Sequence, residues 1–153
     1  MKRYVKLLTV LTCIGMLLVL IAGVLVTKMD AGRGCGDDWP LCNGKFIPAY
    51  TLESLIEYNH RLISGIVGIL VLITFVAVLR SMKERRDAIF YASSALIFTV
   101  VQAILGAMAV VWPQSDPVLA LHFGISLIAF ASTMLLVILA LPSVHHFKPI
   151  FPI

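Results

Sequence analysis

Four long apolar runs set the pattern of the chain: Leu7 to Val26, Leu55 to Leu79, Ala88 to Val111 and Val118 to Leu141. Each meets the span of ~20 residues that a helix needs to cross a bilayer core. In hydrocarbon the backbone must satisfy its own hydrogen bonds, so such runs are expected as helices rather than strands. The expected helices cover about 7–27, 52–79, 88–111 and 117–141, with an outer loop at 28–50. The connections after the second and third runs are short, which favours neighbouring helices packed side by side. The fold class this predicts is an all-α membrane protein: an antiparallel bundle of four transmembrane helices forming one domain over 1–153. The first run is too long for a signal-peptide core and no small-residue cleavage site follows it, so it reads as a retained anchor.

Composition agrees with burial in lipid. Of the 153 residues, 60% are hydrophobic and 13% charged, where a soluble domain carries about a quarter charged residues. The basic residues are distributed unevenly. Lys2, Arg3, Lys6, Arg80, Lys83, Arg85, Arg86 and Lys148 fall on one side of the expected bundle. The other side holds Lys28, Arg33 and Lys45, offset by Asp30, Asp37, Asp38, Glu53 and Asp116. The positive-inside rule then places both termini in the cytoplasm of a multi-pass plasma-membrane protein. The net charge of +4 is a topology signal. The basic residues hug helix ends and form no separate basic domain, so no nucleic-acid partner is expected; the partner in bulk is membrane lipid. Trp112 and Tyr50 fall near outer helix ends and Tyr4 and Tyr91 near inner ends, depths that amphipathic rings favour.

The outer loop contains GRGCGDDWPLCNGKF, with six residues between Cys35 and Cys42. On the non-cytoplasmic side disulfides persist. A bridge there would restrict the unfolded loop by roughly 2.5 kcal/mol in the chain-entropy model. A structural staple, a redox-active pair and two free thiols are all compatible with this spacing, which is not the C-x-x-C of thioredoxin-like motifs. Cys13, in the middle of the first span, reads as a core thiol.

The second span opens with SLIEYNHRLISG, which places Glu57, His60 and Arg61 within two helical turns of an apolar segment. Ser54-x-x-Glu57 matches a capping box, in which Glu57 would reach back to the helix start. Arg61 could snorkel to the outer interface. His60 lies about 9 Å down the helix from Ser54, on a small, polar stripe with Glu57, Ser64 and Gly68. Leu62, Ile66, Ile69 and Ile73 are left for the lipid face. The fourth span repeats this layout. Asp116 suits an N-cap and Pro117 the first helical position. His122 follows at ~9 Å, on a stripe with Ser126, Ala129 and Thr133. Two inward imidazoles at one depth are therefore expected near the outer leaflet. They could be satisfied core residues. They could hold zinc with Glu57 as a third ligand. Haem iron needs only one or two axial imidazoles and a flat apolar slot. Gly65 and Gly68, the face formed by Ala95, Thr99, Gln102, Gly106 and Ala109, and Gly124 and Ser126 could supply that slot. Arg61 would suit a haem propionate. Haem, with no other metal, is the expected cofactor.

The stretches LIAGVLVTK, GCGDDWPLCNGKF, IEYNHR, QAILGAMAVV and ALHFGIS together span nearly the whole chain. They resemble the N-terminal half of the haem A synthase (Cox15/CtaA) family, nearest its Bacillus-type members. The resemblance implies oxidation of a methyl group of haem O to the formyl group of haem A, for cytochrome oxidase assembly, by successive hydroxylations. It implies that His60 and His122 flank or ligate the substrate-haem iron and that Glu57 is catalytic, acting near the methyl being oxidised. Cys35 and Cys42 would match the loop pair implicated in electron or thiol exchange. Haem O synthase and an electron donor are implied partners.

Family members usually have eight helices in two similar halves, and the second half holds a haem b site. Four helices here imply a fragment, or a half-length chain that forms a homodimer. His145 and His146 lie past Pro142 and read as solvated tail residues. Two other classes share these features: a bis-histidine membrane cytochrome that only transfers electrons, possible with haem B, and a four-helix thiol/quinone oxidoreductase. The first needs no Glu57; the second normally carries a C-x-x-C that this sequence lacks.

Overall fold

The structure is a computed structural model that describes residues 3–111 and 116–140. Lys2, Trp112, Pro142, His145, His146 and Lys148, which figure in the expectations above, lie outside the described residues. The chain forms four helices: α1 (Arg3–Lys28), α2 (Leu52–Ser81), α3 (Arg86–Val111) and α4 (Asp116–Leu139). All four are long and apolar enough to cross a membrane. No strand interrupts them among the described residues; the outer loop contributes only an isolated bridge between Cys42 and Lys45.

Around the bundle, α1 packs on α2, α2 on α3, α3 on α4 and α4 back on α1, and the backbones of the diagonal pairs stay further apart among the described residues. Side-chain bonds between spans fix the antiparallel register. Tyr4 at the start of α1 meets Ser81 at the end of α2 at 2.7 Å. Deeper in, the Thr12 and Thr74 hydroxyls lie 2.7 Å apart. Between α3 and α4, Ser94 and Ser132 lie 2.9 Å apart. In lipid, where helix contact brings no hydrophobic gain, such polar pairs and small residues at the contact hold spans together. One buried cluster, Val5, Val78, Met82, Ala88, Ala92 and Leu136, closes the end where α2 turns into α3. A second, with Met16, Val19, Val67, Val71, Ala95 and Ala129, fills the middle. Alanines at these contacts let the helices approach closely. Leu62, Ile66, Ile69 and Ile73 point outward and are exposed, as a lipid-facing stripe requires. Cys13 is only half-buried and makes no disulfide, so it borders the core rather than belonging to it.

The start of α2 differs from the capping-box expectation. Thr51 is the N-cap, in an extended conformation, and its hydroxyl accepts from the Ser54 N–H at 3.3 Å. Ser54 sits inside the first turn, and its hydroxyl donates to the carbonyl of Gly34 in the outer loop. Glu57 does not reach back to the helix start; it has tertiary partners instead, and these outcompete the local motif. His60 is therefore nine residues past its N-cap, while His122 is six past Asp116.

Candidate functional site

The outer loop folds down onto the first two turns of α2. Cys35 and Cys42 are joined in a disulfide and are both buried. Asn43 N–H donates to Cys35 O at 2.9 Å, and Cys42 N–H donates to Lys45 O at 2.9 Å. The loop meets α2 at Gly34: a Cβ there would lie 2.3 Å from the carbonyl carbon of Glu53 and 2.6 Å from Ser54 N. Only glycine lets the two backbones come this close.

This docking organises Glu57 and Arg61. Glu57, 3% exposed, accepts from the Cys35 backbone N–H at 2.7 Å and pairs with the Arg61 guanidinium one turn on. Arg61 also donates to the carbonyls of Leu41 at 2.7 Å and Asp38 at 3.1 Å. Its side chain is 14% exposed, with its head group under the loop carbonyls. Both terminal nitrogens of the guanidinium have partners, in Glu57 and the loop carbonyls, and Nε is buried without one.

Beneath the loop the four helices line a partly open cavity of about 320 Å³. Both His60 and His122 line it, together with Glu57 and Arg61. The two imidazoles are held alike. Each is backed by a glycine of the neighbouring helix: a Cβ at Gly23 would lie 3.3 Å from His60 Cε1, and one at Gly106 would lie 3.2 Å from His122 Cε1. Both Nδ1 atoms are buried and bond to no protein atom. Unpartnered polar atoms around a cavity are the condition an occupant relieves. At Gly65 and Gly68, which also line the cavity, a Cβ would meet nothing within 4 Å. The walls are otherwise mostly apolar. These features fit a flat, largely apolar ligand with a metal centre that accepts imidazole. Among the described residues no group of three or more His, Cys, Asp or Glu side chains is gathered to hold a metal ion.

Of the slot residues expected from sequence, Thr99, Gln102, Gly106 and Ala109 line the cavity. Ala95 packs in the mid-bundle core instead. Ser126 is buried behind the wall, donating to Gln102 Oε1 and, at 2.6 Å, to His122 O. Gly124 does not line the cavity. Gly23 and Trp39 belong to the lining and were not anticipated. Gly23 could have been found as the one residue without a side chain in the outer half of α1; Trp39 gives no such signal.

The fold and cavity define a class: a multi-pass helical membrane protein with two imidazoles converging under a disulfide-bonded outer loop. Residues 49–149 match the COX15-CtaA family model, described as cytochrome oxidase assembly protein. The chain belongs to the COX15-CtaA family. It is 53% identical over 127 residues to a heme A synthase of Exiguobacterium sp. AT1b, covering 82% of this chain and 42% of the relative. It is 48% identical over 140 residues to the heme A synthase of Exiguobacterium sibiricum, covering 91% and 47%. With that of Bacillus licheniformis it shares 50% identity over 139 residues, covering 91% and 46%. The chain spans under half the length of these relatives. Its four spans and bacterial relatives make it a multi-pass plasma-membrane protein.

Proposed function

We propose that this chain forms the substrate-haem half of a haem A synthase, an oxidoreductase that converts a methyl group of haem O to the formyl group of haem A. One observation carries the reading: His60 and His122, from different spans, line one cavity, and the buried Nδ1 of each has no protein partner. Relatives named heme A synthase, about half identical to this chain, support the same assignment.

In this reading His60 and His122 hold the haem iron. The glycines behind them fix ring position, because neither imidazole can retreat into its neighbouring helix without meeting backbone. Bound haem O would supply the redox-active iron and the methyl group that is oxidised. The change from methyl to formyl removes two electron pairs and adds one oxygen atom; in successive hydroxylations dioxygen would be the oxidant and the oxygen source, and an electron donor would supply the further electrons that reduce its second atom to water. Glu57 is the carboxylate at the cavity wall. The Cys35 N–H and the Arg61 guanidinium hold its two oxygens, which orients it to take a proton from the reacting carbon or to stabilise positive charge there. Arg61 orients Glu57 and pins the loop, and its unpartnered Nε is the donor left for an acidic haem substituent. The loop shields the site from outside water.

The outer loop lies on the non-cytoplasmic side and both termini in the cytoplasm, from the distribution of basic residues. The four helices form one domain. A second four-helix half, or a second copy of this chain, completes the assembly, with haem O synthase and an electron donor as partners. An electron-transfer cytochrome would use the same two histidines but gives no role to a carboxylate held at the cavity. A thiol/quinone oxidoreductase would leave the imidazoles idle.

The test is extraction and identification of the haem that co-purifies with the chain from cells making both haem O and haem B. Enrichment of haem O or haem A is expected. Colourless protein, or haem B alone, contradicts the reading.

A further inference from the structure

Hydroxyls within this bundle are generally tied down. Thr9 donates to Lys6 O at 2.9 Å, Ser132 to Ile128 O at 2.8 Å and Thr133 to Phe130 O at 2.7 Å. A serine or threonine in a helix has such a backbone carbonyl within reach by default. Ser64 and Thr99 depart from this. Each hydroxyl is buried, each lacks any partner, and each belongs to a residue lining the cavity.

Their place in the cavity is specific. Ser64 lies one turn beyond His60 along α2, away from the outer loop. Thr99 lies seven residues before Gly106 on α3, about 10 Å along the axis in the same direction. The two hydroxyls therefore lie inward of the imidazoles, whereas Glu57 and Arg61 lie against the outer loop. Among the described residues Glu57 and Arg61 are also the only charged ones in the lining. Among them nothing inward of the imidazoles can balance a carboxylate, but two hydroxyls suit an uncharged oxygen that both donates and accepts. Haem O carries such an oxygen: a hydroxyl on the farnesylated side chain that replaces one vinyl group of haem B. The imidazoles cannot tell the two haems apart, because they meet the iron common to both.

We propose that Ser64 and Thr99 form a subsite for the hydroxyl of the haem side chain and so select haem O over haem B. This rests on the reading of the cavity as the substrate-haem site. Removing a ligand's partner from a site built to hydrogen-bond it weakens that ligand and spares the analogue lacking the group.

The experiment is optical titration of the full chain in lipid nanodiscs with haem O and, separately, haem B. Wild type, Ser64→Ala/Thr99→Val and Thr99→Ser are compared. The double substitution should weaken haem O binding about tenfold and leave haem B binding unchanged, which also shows that the variant is folded. Thr99→Ser, which keeps the hydroxyl, should bind haem O as wild type does. Unchanged haem O affinity in the double variant overturns the subsite. So does an equal loss for both haems, the result expected if the hydroxyls only hold water or support the fold. In either case the substrate-haem reading survives. If wild type binds neither haem, that reading and the subsite fall together.

Discussion

The backbone N–H of Cys35 donates to Glu57 Oε2 at 2.7 Å, joining the disulfide-bonded outer loop to the one carboxylate in the cavity wall. Arg61 closes the same circuit from the other side, through Glu57 and the carbonyls of Asp38 and Leu41. Loop geometry and carboxylate position are thus a single arrangement.

Replacing Glu57 separates its two roles. Glu57→Ala leaves a mostly buried guanidinium and the Cys35 N–H without their acceptor, and should destabilise the chain by about 3 kcal/mol, read as a lower thermal midpoint. Glu57→Gln keeps an acceptor for Cys35 and should unfold closer to wild type. In membranes where the wild-type chain forms haem A, Glu57→Gln should lower conversion about 100-fold or more while haem O stays bound. Undiminished conversion would contradict a catalytic role for Glu57.

Opening the disulfide should loosen this arrangement. Cys35→Ser/Cys42→Ser, or reduction of the wild type, should cost roughly 2.5 kcal/mol of stability for a loop this short. Amide exchange at 34–43 should accelerate while the four helices keep their protection. Unchanged exchange there would mean that the hydrogen bonds to α2 hold the loop without the bridge.

Gly34→Ala tests the contact between loop and helix directly. The added methyl would sit 2.3 Å from backbone of Glu53, and neither backbone can yield while Ser54 stays bonded to Gly34 O. A loss of roughly 2 kcal/mol or more is expected, with exchange at 34–43 as fast as in the reduced protein. A wild-type thermal midpoint would show that the approach is looser than the structure has it.

The glycines behind the imidazoles give a matched pair. Gly106→Leu should push His122 into the cavity and Gly23→Leu should push His60, each lowering haem content about tenfold, as expected for 1–3 kcal/mol of overpacking. Gly124→Leu, at a position with open space and outside the cavity, should leave haem content unchanged. Equal effects at all three positions would point to general disruption of packing.

The four spans were legible in the sequence because a run of ~20 apolar residues needs no tertiary information to be read. The helix that begins at Arg3 rather than Leu7 shows where that signal stops: Arg3, Tyr4 and Lys6 continue the helix beyond the apolar run. The convergence of His60 and His122 was also legible, since both follow helix starts on the same side of the membrane. Partner choice was not. Ser54-x-x-Glu57 looks like a local cap, but a short-range motif carries no sign of the Cys35 N–H and Arg61 that claim the carboxylate. Nor does the sequence show the Asp38 and Leu41 carbonyls as partners of Arg61, because they reach it only after the loop folds. Gly23 and Ala95 depend on the rotational setting of α1 and α3, which periodicity fixes only to within a face.

The most direct test of the central claim is the absorption spectrum of the purified, haem O-loaded chain, wild type against His60→Ala and His122→Ala. Two imidazoles sharing one iron predict that each substitution changes the Soret band and weakens binding, and that the double variant holds no haem. A His122→Ala protein with the spectrum and affinity of wild type would contradict the account.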